Sequence, residues 1–175
     1  MKPHHTVQEE FLRAYDQYAD ALFNHSYYRV SSREVAKDLT QEAFTKTWEY
    51  LTKGKTVDNL KSFLFKVLNN LITDYYRKKK SDSLDSMQEE GFDVASTDNE
   101  KIVFAAESEN ALKALKELDA RYQEVVIMRY LNELSPREIA DIVGESENAV
   151  SVRINRSLKK LKEILKIDDE SSTDI

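Results

Sequence analysis

The chain has 175 residues, 33% of them charged, a formal net charge of −6, three Gly, two Pro and no Cys. That length suits one medium domain or two small ones, and the lack of cysteine excludes a disulfide framework or a thiolate metal site. No apolar run approaches the ~20 residues of a membrane span, and the opening MKPHHTVQEEF is too polar for a signal peptide.

So few Gly and Pro, with no alternating β-branched runs, predict an all-α protein. The first helix is expected from Thr6 to about Tyr28, because Val7, Phe11, Tyr15, Tyr18, Leu22 and Phe23 recur at helical spacing. Ser31-Ser32-Arg33-Glu34 reads as the Ser-x-x-Glu start of a second helix carrying Val35, Leu39, Ala43, Phe44, Trp48 and Leu51. Thr52 to Thr56, with Gly54, makes a loop. A third helix begins near Asp58 or Asn59 and runs into Asp74-Tyr75-Tyr76-Arg77-Lys78-Lys79-Lys80.

Residues 81–102 contain a run rich in Ser, Asp and Glu and read as a flexible acidic linker. A second helical block follows: Val103 to Leu118, Tyr122 to Leu131 with Asp119 as a candidate cap, and then a helix pair. Val125-Val126-Ile127-Met128 is apolar nearly all round, which predicts a central helix. Residues 168–175 read as a disordered acidic tail. The expected architecture is therefore two small helical domains, 1–80 and 103–167, joined by that linker.

The helix pair, Glu133 to Leu165, organises the second block. Ser135-Pro136-Arg137-Glu138 is a capping box with Pro at the first helical position. Gly144 sits where a left-handed C-cap belongs, and Ser146 can cap the next helix. That helix puts Val150, Ile154, Leu158, Leu161 and Leu165 on one face and Arg153, Arg156, Lys159, Lys160 and Lys162 largely outside it. Two helices joined by a short Gly-containing turn, the second basic, match the helix-turn-helix of DNA readers; an ordinary bundle helix would look similar.

Charge distribution bears on the choice. Residues 1–80 carry 14 Lys/Arg against 10 Asp/Glu, and 107–167 carry 11 of each. The acidity lies in 81–106 and 168–175, and a DNA protein needs a local basic surface more than a high overall pI. Tyr75 to Lys80 joins two aromatics to four cations, a combination that can hold phosphate and stack on unpaired bases. A solvated helix C-terminus would carry the same cations. Asp38, Gln41, Glu42 and Thr45 form a polar face opposite a buried stripe, which by itself is an amphipathic helix and no more. His4, His5 and His25 form no metal set, and there is no phosphate-binding Gly loop or nucleophile elbow. The residues point to no cofactor and no enzyme.

Three stretches, in order, resemble one family. Asp38-Leu39-Thr40-Gln41-Glu42-Ala43-Phe44 with Trp48, Phe63 to Arg77, and Leu118 to Leu165 are similar to segments of bacterial RNA polymerase sigma factors of the extracytoplasmic-function (ECF) class. Phe63, Leu68, Asn69, Asn148, Ser151 and Val152 depart from the common letters. The linker is too short for the extra middle domain of primary sigma factors. The resemblance implies a sigma factor that binds core RNA polymerase and directs promoter-specific initiation. Asp38, Gln41, Glu42 and Thr45 would dock on polymerase. Lys66, Asn69, Asn70, Thr73, Tyr76, Arg77 and Lys78 would recognise the melted −10 element. Asn148, Ser151, Val152, Arg153 and Arg156 would read duplex at −35 through a four-helix helix-turn-helix domain. Implied partners are core RNA polymerase, promoter DNA and an anti-sigma factor, in a cytoplasmic, nucleoid-associated protein without membrane insertion. Two other classes fit the residues alone: a helix-turn-helix regulator acting on duplex without polymerase, and a helical protein-binding adaptor.

Overall fold

The computed structural model of the protein describes residues 6–83 and 107–171. Among them are seven α-helices, one π-helical turn and no strand. α1 (Val7–Val30) opens on a reciprocal capping box between Thr6 and Glu9. It ends at Ser31, whose φ of 55° is left-handed. Ser31 is thus the C-cap of α1, and it is Ser32 that caps α2 (Arg33–Thr52), its Oγ accepting from the Val35 N–H. The Ser31-x-x-Glu34 reading was one residue early, because the chain has to turn before α2 can begin.

α3 (Leu60–Ser83) is capped by Asn59 Oδ1, which accepts from the Ser62 N–H at 3.1 Å. It runs three residues into the expected linker; residues 84–102, the rest of that linker, lie outside the described residues, as does the expected start of the next helix at Val103. α4 (Glu107–Glu117) leads to α5 (Ala120–Val126). Asp119 precedes α5, but its carboxylate makes no capping hydrogen bond. Its backbone carbonyl accepts instead from Tyr122 and Gln123. A π-helical turn (Ile127–Leu131) continues α5, with the Asn132 N–H reaching back to the Ile127 carbonyl at 3.0 Å.

α6 (Pro136–Val143) starts at the Ser135/Glu138 capping box and ends at Gly144, φ 74°. α7 (Glu147–Ser171) starts where Ser146 Oγ accepts from the Ala149 N–H at 3.1 Å. α7 runs to Ser171, four residues into the stretch expected as a disordered acidic tail. No Gly or Pro interrupts the chain between Gly144 and Ser171, so nothing local ends the helix. Residues 172–175 lie outside the described residues.

One apolar cluster runs through both halves. It takes Leu22 from α1, Phe44 from α2 and Leu64, Phe65, Leu68 and Ile72 from α3, and continues into Met128, Leu134, Ile139 and Val150. Val125, Val126, Ile127 and Met128 are all buried, as their all-round apolar character required. A second cluster sets Tyr28 of α1 among Leu115, Leu118, Tyr122, Val126 and Ile127. α3 packs on α6, and α1 on the π-helical turn. Burial of a side chain such as Phe65 contributes about 1.5–3 kcal/mol, so the two helical blocks share part of their core.

Candidate nucleic-acid interface

Asp38, Gln41, Glu42 and Thr45 are all exposed along one side of α2, while Leu39, Thr40, Ala43, Phe44 and Thr47 face inward. Glu42 and Lys46 form an exposed i,i+4 pair at 3.4 Å, worth only a few tenths of a kcal/mol. Trp48 packs on Phe11, ring centroids 5.0 Å apart, as a core aromatic would. This face carries acceptors and one amide.

Along α3, Lys66, Asn70, Thr73, Tyr76, Arg77 and Lys78 are exposed. The Thr73 hydroxyl donates to the Asn69 carbonyl, and Arg77 pairs with Asp74 one turn earlier. The Tyr76 hydroxyl donates to the Arg29 carbonyl across to α1, and burial raises its pKa above the ordinary phenol value. Asn69 differs from its neighbours. It is 7% exposed, and its Oδ1 accepts from the Arg29 guanidinium at 3.1 Å.

Asn148, Val152 and Arg156 are exposed on the N-terminal half of α7, with Ser151 half-buried. Arg121, Tyr122, Glu145, Val152, Arg153 and Arg156 line a shallow cleft of about 230 Å³. Such a lining combines cations for phosphate or guanine with an apolar surface suited to a thymine methyl. Arg153 is held inside this cleft by two carboxylates: Glu145 of the turn, and Glu124 of α5 at 3.7 Å.

Sequence reasoning did not single out the residues that link these faces. The Glu124 carboxylate is shared, because its other oxygen lies 3.6 Å from the Arg29 guanidinium. Burial lowers the Arg29 pKa, and the charge of Glu124 opposes that shift. His25 lies fully buried one turn before Arg29. The Asn132 amide nitrogen donates to the Ala21 carbonyl, which turns the Asn132 oxygen toward His25 Nδ1 at 2.8 Å. Nδ1 therefore carries the proton of a neutral imidazole. Burial first, and the Arg29 charge second, lower the His25 pKa from 6.5 to about 3. At the other end, Glu138 of α6 accepts from Ser135 and hydrogen-bonds Asn59, with Lys61 nearby. The Ser135 backbone N–H is the main cause of its lowered pKa. A charge inside an apolar run was the available signal for Glu124, within Gln123-Glu124-Val125-Val126.

The fold and these faces define a two-part helical DNA reader, and the comparisons narrow it. Residues 7–81 match the family model for Sigma-70 region 2, and residues 108–161 that for Sigma-70, region 4. The chain is 26% identical to the RNA polymerase sigma factor SigV of Bacillus subtilis over 98% of its length and all of SigV. It is 27% identical to the ECF RNA polymerase sigma factor BldN of Streptomyces coelicolor over 91% of its length, and spans 62% of BldN. Among solved structures it is similar to the sigma factor RpoE of Bartonella quintana, in complex there with the anti-sigma factor NepR. The TM-score is 0.76 at 25% identity, over 91% of this chain and 98% of that one. The chain belongs to the ECF sigma factors, the two-domain branch of the Sigma-70 family.

Proposed function

We propose that the chain binds core RNA polymerase and directs it to promoters through −10 and −35 elements, contributing specificity and no catalysis of its own. Asp38, Gln41, Glu42 and Thr45 dock on polymerase. Lys66, Asn69, Asn70, Thr73, Tyr76, Arg77 and Lys78 read the melted −10 strand, with backbone phosphates held by the cations. Asn148, Ser151, Val152, Arg153 and Arg156 of α7 read −35 duplex in the major groove. Residues 1–80 form the first functional unit, 103–167 the second, and 81–102 the linker between them. The observation that carries this reading is the pairing of two polar, cation-bearing helix faces, on α3 and α7, each within the segment matched by its own sigma region.

Tethering both readers to one polymerase raises the effective concentration of the second contact once the first is made. The RpoE neighbour's complex with NepR supports an anti-sigma factor as a further partner. Among the described residues no helix is long and apolar enough to cross a membrane, and the proposed place of action is the bacterial nucleoid. In vitro run-off transcription with core polymerase and a promoter library tests the reading. A promoter-dependent transcript that disappears when Gln41 and Glu42 are both replaced by Ala supports it. Duplex binding without any transcript would make the chain a conventional helix-turn-helix regulator.

A further inference from the structure

Glu145 stands outside the set of −35 readers named above, yet it lines the same cleft as Val152, Arg153 and Arg156. We infer that Glu145 is a specificity-determining residue of the −35 reader: its carboxylate and the Arg153 guanidinium together take one G·C base pair, Arg153 on the guanine and Glu145 on the cytosine amine. The inference rests on the sigma-factor reading above and names a base pair which that reading leaves open.

Placement supplies the first argument. Gly144 and Glu145 both donate their backbone N–H to the Ala140 carbonyl, at 2.9 and 3.1 Å, so the turn that carries Glu145 is tied to the end of α6. Ser146, the next residue, caps α7. Glu145 therefore stands at the N-terminal end of the second helix of the pair. That is the end that meets base edges when such a helix lies in the major groove.

Complementarity supplies the second. In the major groove a G·C pair presents two acceptors on guanine, N7 and O6, and then the N4 amine donor of cytosine. A guanidinium beside a carboxylate presents donors and then an acceptor. Arg153 and Glu145 are such a couple, ion-paired side by side. An A·T pair presents acceptor, donor, acceptor in the same row. Its adenine amine would meet an Arg153 N–H, and its thymine O4 would meet the Glu145 carboxylate.

Exposure and charge supply the third. Arg153 has two carboxylate partners: Glu124, its side chain 13% exposed, and Glu145, 38% exposed. Glu124 supports the guanidinium from the protein side, and Glu145 is the carboxylate that a base can reach. The phosphates of a duplex would repel a lone carboxylate. Here Arg121, Arg153 and Arg156 line the cleft with it, three cations to one anion. A guanidinium already held by two partners also loses less side-chain freedom when it meets a base.

The experiment uses holoenzyme assembled from core polymerase and the full chain. Its equilibrium binding is measured on promoter duplexes in which each −35 base pair is replaced in turn by the other three. The wild type is expected to favour G·C at one position by about tenfold. Glu145→Ala is expected to reduce that preference to about twofold and to keep the rank order at every other −35 position. Glu145→Gln, which retains an acceptor oxygen without the charge, is expected to fall between the two. A loss of the same size on every duplex would make Glu145 a prop of α7 and overturn the inference. Tighter binding to every duplex, with the salt slope steeper by about one, would show a carboxylate that merely occupies Arg153, and overturns it too. A preference altered at an A·T position instead of a G·C position does the same. If the wild-type holoenzyme discriminates among no −35 substitutions, the sigma-factor reading itself fails.

Discussion

Arg29, at the end of α1, donates a buried 3.1 Å hydrogen bond to Asn69 Oδ1 on α3. The same guanidinium faces Glu124 of the second helical block. One side chain thus serves the packing inside the first block and the joint between blocks. Its removal leaves the Glu124 carboxylate, whose side chain is 13% exposed, paired with Arg153 but without its counter-charge on α1, and it takes the donor from Asn69 Oδ1, a loss that costs about 1.5–3 kcal/mol. Separating the blocks hydrates Glu124 and relieves its share of that loss. Arg29→Ala should therefore convert a single calorimetric unfolding transition into two, with the first at lower temperature. A single transition at the wild-type Tm would show that Arg29 does not couple the blocks.

The buried imidazole of His25 gives the joint a pH dependence. Its pKa is about 3 in the folded chain against 6.5 when free. A depressed histidine contributes stability that is present above the free value and is lost as pH falls below it. Between pH 7 and pH 5 the expected loss is about 2 kcal/mol. Glu138, whose pKa is lowered, loses its own contribution only as pH falls below the ordinary carboxylate range. Urea titrations at pH 7 and pH 5 should show the difference in the wild type and not in His25→Asn.

On α7, Arg156 is exposed where Arg153 is held by carboxylates. Arg156→Ala should weaken promoter binding by about 1–3 kcal/mol and relax the preference at one −35 base pair, as loss of a bidentate guanine contact does. A loss uniform across sequences, with the salt slope reduced by about one, would make it a phosphate contact. Binding of polymerase bearing the variant to a set of single-base −35 substitutions distinguishes the two.

Replacing both Gln41 and Glu42 by Ala should lower affinity for core polymerase at least tenfold and leave Tm within a degree or two, since both are exposed and Glu42 makes only a surface ion pair. A surface plasmon resonance titration of polymerase with a parallel thermal melt reads both quantities. A matching drop in Tm would assign the effect to folding.

Gly144 has φ 74° with no atom within 4 Å of where a Cβ would stand. Gly144→Ala should therefore cost about 1–2 kcal/mol from backbone strain alone. Urea unfolding measures it. An Asn at this position should recover part of the loss, because it tolerates the left-handed conformation better than Ala.

What could be read from the sequence was local. The Ser135/Glu138 box, the Gly144 cap, the Ser146 cap and the apolar run around Val125 each depend on a few neighbouring residues, and each was legible. Ser31 and Ser32 were assigned one position apart from their roles, because two adjacent serines offer the same cap chemistry. Only the left-handed turn ending α1 separates them. Asp119 carries a good capping side chain that this helix start does not use. The Arg29–Glu124 and His25–Asn132 contacts were out of reach: the latter spans 107 residues, and no local pattern sets a partner at that distance. His25 looked like a failed metal ligand and proved to be a neutral packing group. Asn69 was legible as a polar residue on α3, whereas its burial beneath Arg29 depends on how α1 crosses α3.

The π-helical turn at Ile127–Leu131 has a consequence for insertions and deletions. Glu124 and Asn132 both meet α1, yet they are eight residues apart. At about 100° per residue, eight steps of a regular helix would leave them about 80° out of phase. Absorbing one extra residue in a wide turn makes the eight behave as seven, about 20° from two full turns. The turn therefore works as a phase corrector. A one-residue deletion there should restore an ideal helix of seven steps and keep Asn132 facing α1, whereas regularising the turn with all its residues in place would aim Asn132 away from His25.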